Sequence, residues 1–185
     1  MRKRILEISR QNNLSHIGSC LSMAEILEVI YELKNPEDII ILDAGHSHIA
    51  HLVAREKYEN KSIPEIHDIH CNLKDGCEIA TGSLGLGICI ALGKARAKPD
   101  RNVYCLLSDG GCQEGSVWEA LRLKTDLGIN NLKVFVNANG WDALSKVNVN
   151  LLEIRLKTFD KDIQVIRTNS DFEGIVGVNA HYKHL

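Results

Sequence analysis

The chain has 185 residues, 44% of them hydrophobic and 25% charged, a balance that fits one globular domain with its own core. A formal net charge of -2 excludes the broad positive field that nucleic acid or an anionic membrane would require. No apolar run approaches the roughly 20 residues of a membrane span, and the basic start Met1-Arg2-Lys3-Arg4 is not followed by the apolar core of a signal peptide. The six cysteines, at 20, 71, 77, 89, 105 and 112, form no Cys-x-x-Cys pair. They read as reduced thiols of a cytoplasmic protein, with no disulfide or zinc framework.

Taken in chain order, residues 2–11 are predicted helical. Ser22-Met23-Ala24-Glu25 has the pattern of a capping box and predicts a helix from there to about Leu33. A short apolar strand follows over 38–42, then helices over 47–58 and 64–70. Residues 84–97 alternate Gly and Ala with aliphatic residues, as in a tightly packed helix. The continuous apolar run 103–107 suits a strand buried on both faces. A helix over 114–127, a strand over 132–136, a helix over 149–158 and a strand over 163–166 complete the pattern. Such alternation predicts an α/β fold, a central parallel sheet flanked by helices on both faces and joined by right-handed crossovers.

Two turns stand out. Ser108-Asp109-Gly110 follows the strand 103–107, and Asn137-Ala138-Asn139-Gly140 follows the strand 132–136. An open parallel sheet places its ligand crevice at such strand ends. A carboxylate and an amide carbonyl brought together there are hard oxygen ligands, suited to Mg2+ or Ca2+. Taken alone, both turns also read as ordinary Asp-Gly and Asn-Gly connections. Thr81-Gly82-Ser83-Leu84-Gly85-Leu86-Gly87 is a Gly-rich entry into a helix, whose backbone amides could contact phosphate or whose glycines could serve close packing. His46-x-His48 and His67-x-x-His70 suggest zinc, but no Cys or acidic partner stands at a supporting spacing, so no zinc site is expected.

These segments occur in order with His16-Ile17-Gly18-Ser19, Gly45-His46-Ser47-His48 and Gln113-Glu114-Gly115-Ser116. Together they resemble the amino-terminal, diphosphate-binding domain of the transketolase family, from about Arg4 to His181. The resemblance implies a thiamin-diphosphate-binding fold over 1–185 as a single domain. It implies that Asp109 and Asn139, with the backbone carbonyl of Trp141, hold the Mg2+ or Ca2+ ion, and that Gly82, Leu84, Gly110, Asn139 and His46 contact thiamin diphosphate. It casts His16, His46 and His70 as the histidines of the substrate channel, and Glu114 as a catalytic-network Glu buried between subunits.

Some positions depart from the family pattern. Ser108 replaces the first Gly of Gly-Asp-Gly, Asn137 stands where the family often has Asp, Cys71 follows His70 where the family has Pro, and Ser170 occupies the place of a substrate-contacting His. A hydroxyl cannot replace imidazole in proton transfer at neutral pH. The resemblance implies the amino-terminal subunit of a split enzyme that moves a two-carbon ketol unit between sugar phosphates, working as an oligomer with a separate pyrimidine-binding subunit. Other thiamin-diphosphate reactions, such as 1-deoxyxylulose-phosphate synthesis, stay open at this stage, as does a non-catalytic binding or regulatory remnant.

Overall fold

The computed structural model describes residues 1–184. Four strands, β1 (Ile39–Leu42), β2 (Val103–Ser108), β3 (Leu132–Ala138) and β4 (Gln164–Arg167), form a fully parallel sheet in the order β1-β2-β3-β4. Side chains alternate across a strand, and here the alternation divides the core in two. Ile40, Leu42, Tyr104, Leu106 and Phe135 face one layer of helices: α1 (Arg2–Gln11), α2 (Ile17–Leu33) and α3 (His48–Glu59). Ile39, Ile41, Val103, Cys105, Leu107, Val134 and Val136 face the other layer: α4 (Gly87–Ala97), α5 (Gly115–Asp126) and α6 (Val149–Phe159). Helices α4, α5 and α6 are the three crossovers. A sheet that always grows in one direction with crossovers of one hand must put them all on one face. A short α7 (Asn179–Tyr182) packs against α2.

Two sequence expectations need correction. Ser22 does not start a helix: α2 begins at Ile17, and the Ser22 hydroxyl donates to the Ser19 carbonyl at 3.1 Å inside it. Burial of Ile17 and Leu21, both 0% exposed, extends the helix beyond its local cap signal. The helix expected over 64–70 does not form. The Asp68 carboxylate captures the His70 amide at 3.1 Å, a local alternative to the helical bond. Between α3 and α4 the only regular piece is a single 3-10 turn at Leu73–Asp75.

Candidate functional site

Each of the first three strands ends in a polar residue at the same edge of the sheet. Asp43 follows β1, Asp109 follows β2 and Asn139 follows β3. The parallel arrangement puts these strand ends side by side, which is the physical reason why the site lies here.

Asp43, a residue without a place in the sequence reading, is fully buried. Its carboxylate accepts the Gly85 amide at 2.9 Å and the Ile88 amide at 3.1 Å. It therefore supplies the anion at the start of α4. The amides of Gly85 and Ile88 are thus both engaged by a buried side chain. Gly85 has φ +80, and a Cβ there would lie 2.5 Å from Ser116 Oγ and 2.6 Å from Glu114 Cβ, so the position admits only glycine.

Asp109 is 0% exposed. It accepts its neighbour Gly110 amide at 3.1 Å and the Gly140 amide at 2.6 Å. Burial pushes its carboxyl up to about 6, against those backbone bonds. Asn139 Oδ1 accepts the Trp141 amide at 3.0 Å. Ser108, at the first Gly position of the motif, caps the turn through a 2.9 Å bond from the Gly111 amide to its hydroxyl. Both polar atoms of the Asn137 side chain are engaged: its Nδ2 donates to Ser22 Oγ at 2.8 Å, and its Oδ1 accepts from Thr168.

Above these turns lies a cavity of about 160 Å³. It brings together His16, His46, His70, Gly82, Leu84, Asp109, Gly110, Asn139 and Trp141, every expected site residue except Glu114. Glu114 is exposed at the start of α5, outside the cavity. The imidazoles of His16 and His46 are 5.5 Å apart by ring centroid, and His70 lies 6.4 Å from His16. Burial first, and then the neighbouring imidazoles, push His16 down to about 4 and His46 down to about 3. Both rings are therefore neutral near pH 7 and act as hydrogen-bonding groups. His70 packs against Gly82, and its Nδ1 is 3.1 Å from Asp68 Oδ1.

The structure adds His181. Ser19 Oγ lies 2.8 Å from its Nδ1, and its buried Nε2 has no hydrogen-bond partner among the described residues. Its ring is 6.2 Å from His16 and 6.5 Å from His46. Gly18 lets this happen, since a Cβ there would meet the Ser170 carbonyl at 2.5 Å and Ala180 Cβ at 2.7 Å. Nothing local marks it beyond the histidine itself, because Ser19 and His181, 162 positions apart, meet only through tertiary packing. Ser170 is buried nearby with an unpartnered hydroxyl.

The donor set around Asp109 is oxygen-only, with a buried carboxylate that has no cation beside it. That chemistry fits a hard divalent ion. The cleft next to it carries neutral imidazoles and the Gly82–Leu84 wall, and so suits a polar, anionic ligand held through that ion.

Comparison with known proteins identifies relatives of the chain and of its fold. A family model described as 1-deoxy-D-xylulose-5-phosphate synthase, amino-terminal part, matches residues 1–184. The chain is 35% identical over 151 residues to transketolase-like protein 2 of Bos taurus, covering 67% of this chain and 24% of that protein. It is 28% identical over 165 residues to the 6-deoxy-6-sulfo-D-fructose transketolase subunit SqwG of a Clostridium strain, covering 75% of this chain and 60% of that subunit. The chain thus spans about a quarter of the length of the transketolases it matches. Its fold is similar to that of transketolase from Leishmania mexicana, with a TM-score of 0.74 at 18% identity over 90% of this chain and 35% of the other. Transketolase from Campylobacter jejuni gives a TM-score of 0.65 at 22% identity, with the same coverage.

Proposed function

Because the chain belongs to the family of the amino-terminal 1-deoxy-D-xylulose-5-phosphate synthase domain and its transketolase relatives, we propose that it is the diphosphate-binding part of a thiamin-diphosphate-dependent transketolase. The observation that carries this reading is the buried Asp109 carboxylate, bonded to the Gly140 amide and set beside Asn139 and Trp141 at the floor of the histidine-lined cleft. In the proposed complex, Asp109, Asn139 Oδ1 and the Trp141 carbonyl hold Mg2+, which neutralises the diphosphate. Gly82, Leu84 and Gly110 form the wall against which the diphosphate lies. Thiamin diphosphate, when bound, supplies the electron sink for cleavage of a carbon–carbon bond.

The chain's own residues bind and orient. His16 and His46 present neutral imidazoles that donate to or accept from sugar hydroxyls, His70 lines the same cleft, and His181 Nε2 adds a nitrogen without a partner among the described residues. A neutral imidazole can take a proton from a hydroxyl and return it. We place His181 among these groups because Ser170 cannot perform that exchange.

The pyrimidine end of the cofactor must be clamped by a second domain. SqwG, a relative described as a transketolase subunit, supports a partner polypeptide in that role. The exposed Leu86 (52%) and Ile90 (40%) lie one helical turn apart at the start of α4, just after Gly85, which packs against Glu114, and this flank of α4 and α5 suits the partner's docking face.

The test is calorimetry with thiamin diphosphate and Mg2+, followed by a ketol-transfer assay with and without a pyrimidine-domain polypeptide. We expect Mg2+-dependent binding, and turnover only with the second domain. Absence of Mg2+-dependent binding by the assembled complex would overturn the cofactor reading. Turnover by the 185-residue chain alone would overturn the need for a partner. Because the family model bears the name of 1-deoxyxylulose-phosphate synthase, formation of that product is the second activity to assay.

A further inference from the structure

A second chemically distinctive cluster lies away from the cleft, where α3 meets the long connection between α3 and α4. His48, Cys71 and Cys77 are all buried, at 0%, 4% and 8% exposure. One ligand atom from each lies within 4.8 Å of the other two. We propose that His48, Cys71 and Cys77 form a structural zinc site, for which His51 is the candidate fourth ligand.

The tautomer of His48 is set for metal binding. Its Nε2 is 2.9 Å from Asp75 Oδ2, and a carboxylate accepts, so Nε2 carries the proton. The Nδ1 lone pair then points at Cys77 Sγ, 3.6 Å away. A tetrahedral zinc with ordinary Zn–S and Zn–N bonds separates those two atoms by about 3.6 Å. Asp75 thus acts as the carboxylate that orients a metal-binding imidazole. Asp75 is itself held by bonds from the Asn72 amide nitrogen and, through its backbone carbonyl, from Arg55 at 2.7 Å.

His51 stands three residues after His48, on the same side of α3. It is 5% exposed, and its Nδ1 has no partner among the described residues. An unpartnered buried imidazole is costly unless something takes up its lone pair. Binding zinc would release both thiol protons and form two Zn–S bonds, so that two thiolates cancel the dication inside the protein. Thiolate and imidazole together select zinc over the hard ion proposed at Asp109.

The site also explains how residues 60–86 keep their shape with little regular structure. Connections this long are uncommon in compact folds. Cys71 is the neighbour of His70, and its carbonyl accepts the Thr81 amide at 3.1 Å. A metal at Cys71 and Cys77 would therefore fasten the wall that carries His70, Gly82 and Leu84 into the cleft. Sequence spacing alone hid the site: the ligands come as a helical His pair and a Cys-x5-Cys pair, joined only by the fold.

The experiment is metal analysis of the full chain, purified without chelator and desalted into metal-free buffer, with Mg2+ then added to occupy any hard-ion site. One zinc per chain is expected. Cys71→Ser and Cys77→Ser should lose it, while Asp109→Ala keeps it, which separates this site from the cofactor site. Cobalt added to the metal-stripped parent should give a sulfur-to-cobalt charge-transfer band and the visible spectrum of a four-coordinate ion. If the serine variants do not fold, the cobalt spectrum of the parent and the protection of its thiols from alkylation decide the matter. A zinc-free chain whose cobalt form lacks the thiolate band overturns the proposal. So does an intact mass two hydrogens lighter, which would mark a Cys71–Cys77 disulfide.

Discussion

Asp109 Oδ2 accepts the Gly140 amide at 2.6 Å, so the turn after β2 is bonded directly to the turn after β3. One carboxylate thus has a structural partner on each side and still faces the cleft. Asp43 does the corresponding work between β1 and the start of α4. The floor of the cleft is a set of neighbouring strand ends tied together by buried acidic side chains.

Asp109→Ala should remove the anchor for a divalent ion and weaken Mg2+-dependent thiamin-diphosphate binding by about 10–100-fold. It also leaves the Gly140 amide unpaired, at a cost of about 1–3 kcal/mol in stability. Calorimetric titration together with urea unfolding separates the two effects. Unchanged affinity would remove Asp109 from the ligand set.

Asp43→Ala should destabilise the fold by about 3 kcal/mol, because two buried amides at the start of α4 lose a charged acceptor. Cofactor affinity should also fall, since Gly82 and Leu84 precede the amides that Asp43 holds. Asp43→Asn keeps one acceptor and should recover part of the stability in thermal unfolding. Equal midpoints for Ala and Asn would show that the carboxylate is not a cap.

The buried histidines give stability a pH dependence. His16 and His46 have folded values of about 4 and about 3, below the ordinary 6.5. Between those limits the unfolded chain binds more protons, so stability rises with pH. This contribution is complete above about 6.5 and declines as pH falls towards 4 and then 3. Each histidine adds a slope of up to about 1.4 kcal/mol per pH unit. Asp109, raised to about 6, contributes the opposite slope between its ordinary range and that value. The difference between the parent and His46→Gln isolates the histidine part, and denaturant midpoints from pH 4 to 7 measure it. Parallel curves would refute a depressed His46.

Lys124 and Asp160 form an ion pair at 2.7 Å, with side chains only 7% and 4% exposed. Lys124→Met strands a buried carboxylate and should cost about 3–5 kcal/mol, whereas Lys124→Met with Asp160→Leu should recover most of that loss. Denaturant unfolding of the single and double variants closes the cycle. A single variant as stable as the parent would mean that Asp160 is solvated in solution.

The docking face proposed beside Glu114 is tested by Ile90→Asp and Glu114→Ala. The first should abolish sedimentation as an oligomer or complex, and the second should weaken it by about 30-fold or more, the effect of losing one buried charge-assisted contact. An unaltered sedimentation profile in both variants would place the partner elsewhere.

Sequence by itself determined the α/β alternation, the burial of β2 and β3, and the strand-end positions of Asp109 and Asn139. Apolar runs and Gly-flanked turns are local signals, and a parallel sheet converts them directly into a crevice. Family motifs extended that reading to His16, His46, His70, Gly82 and Leu84, which the fold does bring to one cavity. Tertiary structure alone decided the rest. The start of α2 at Ile17 was set by burial against the sheet, not by the stronger cap signal at Ser22. Asp43 became a helix cap across 42 positions, and His181 entered the cleft because Gly18 allows close approach of the chain's last turn. The meeting of His48 with Cys71 and Cys77 belongs to the same class. A side chain's chemistry can be read locally, but which distant groups share its desolvated surroundings depends on how helices and loops close over the sheet.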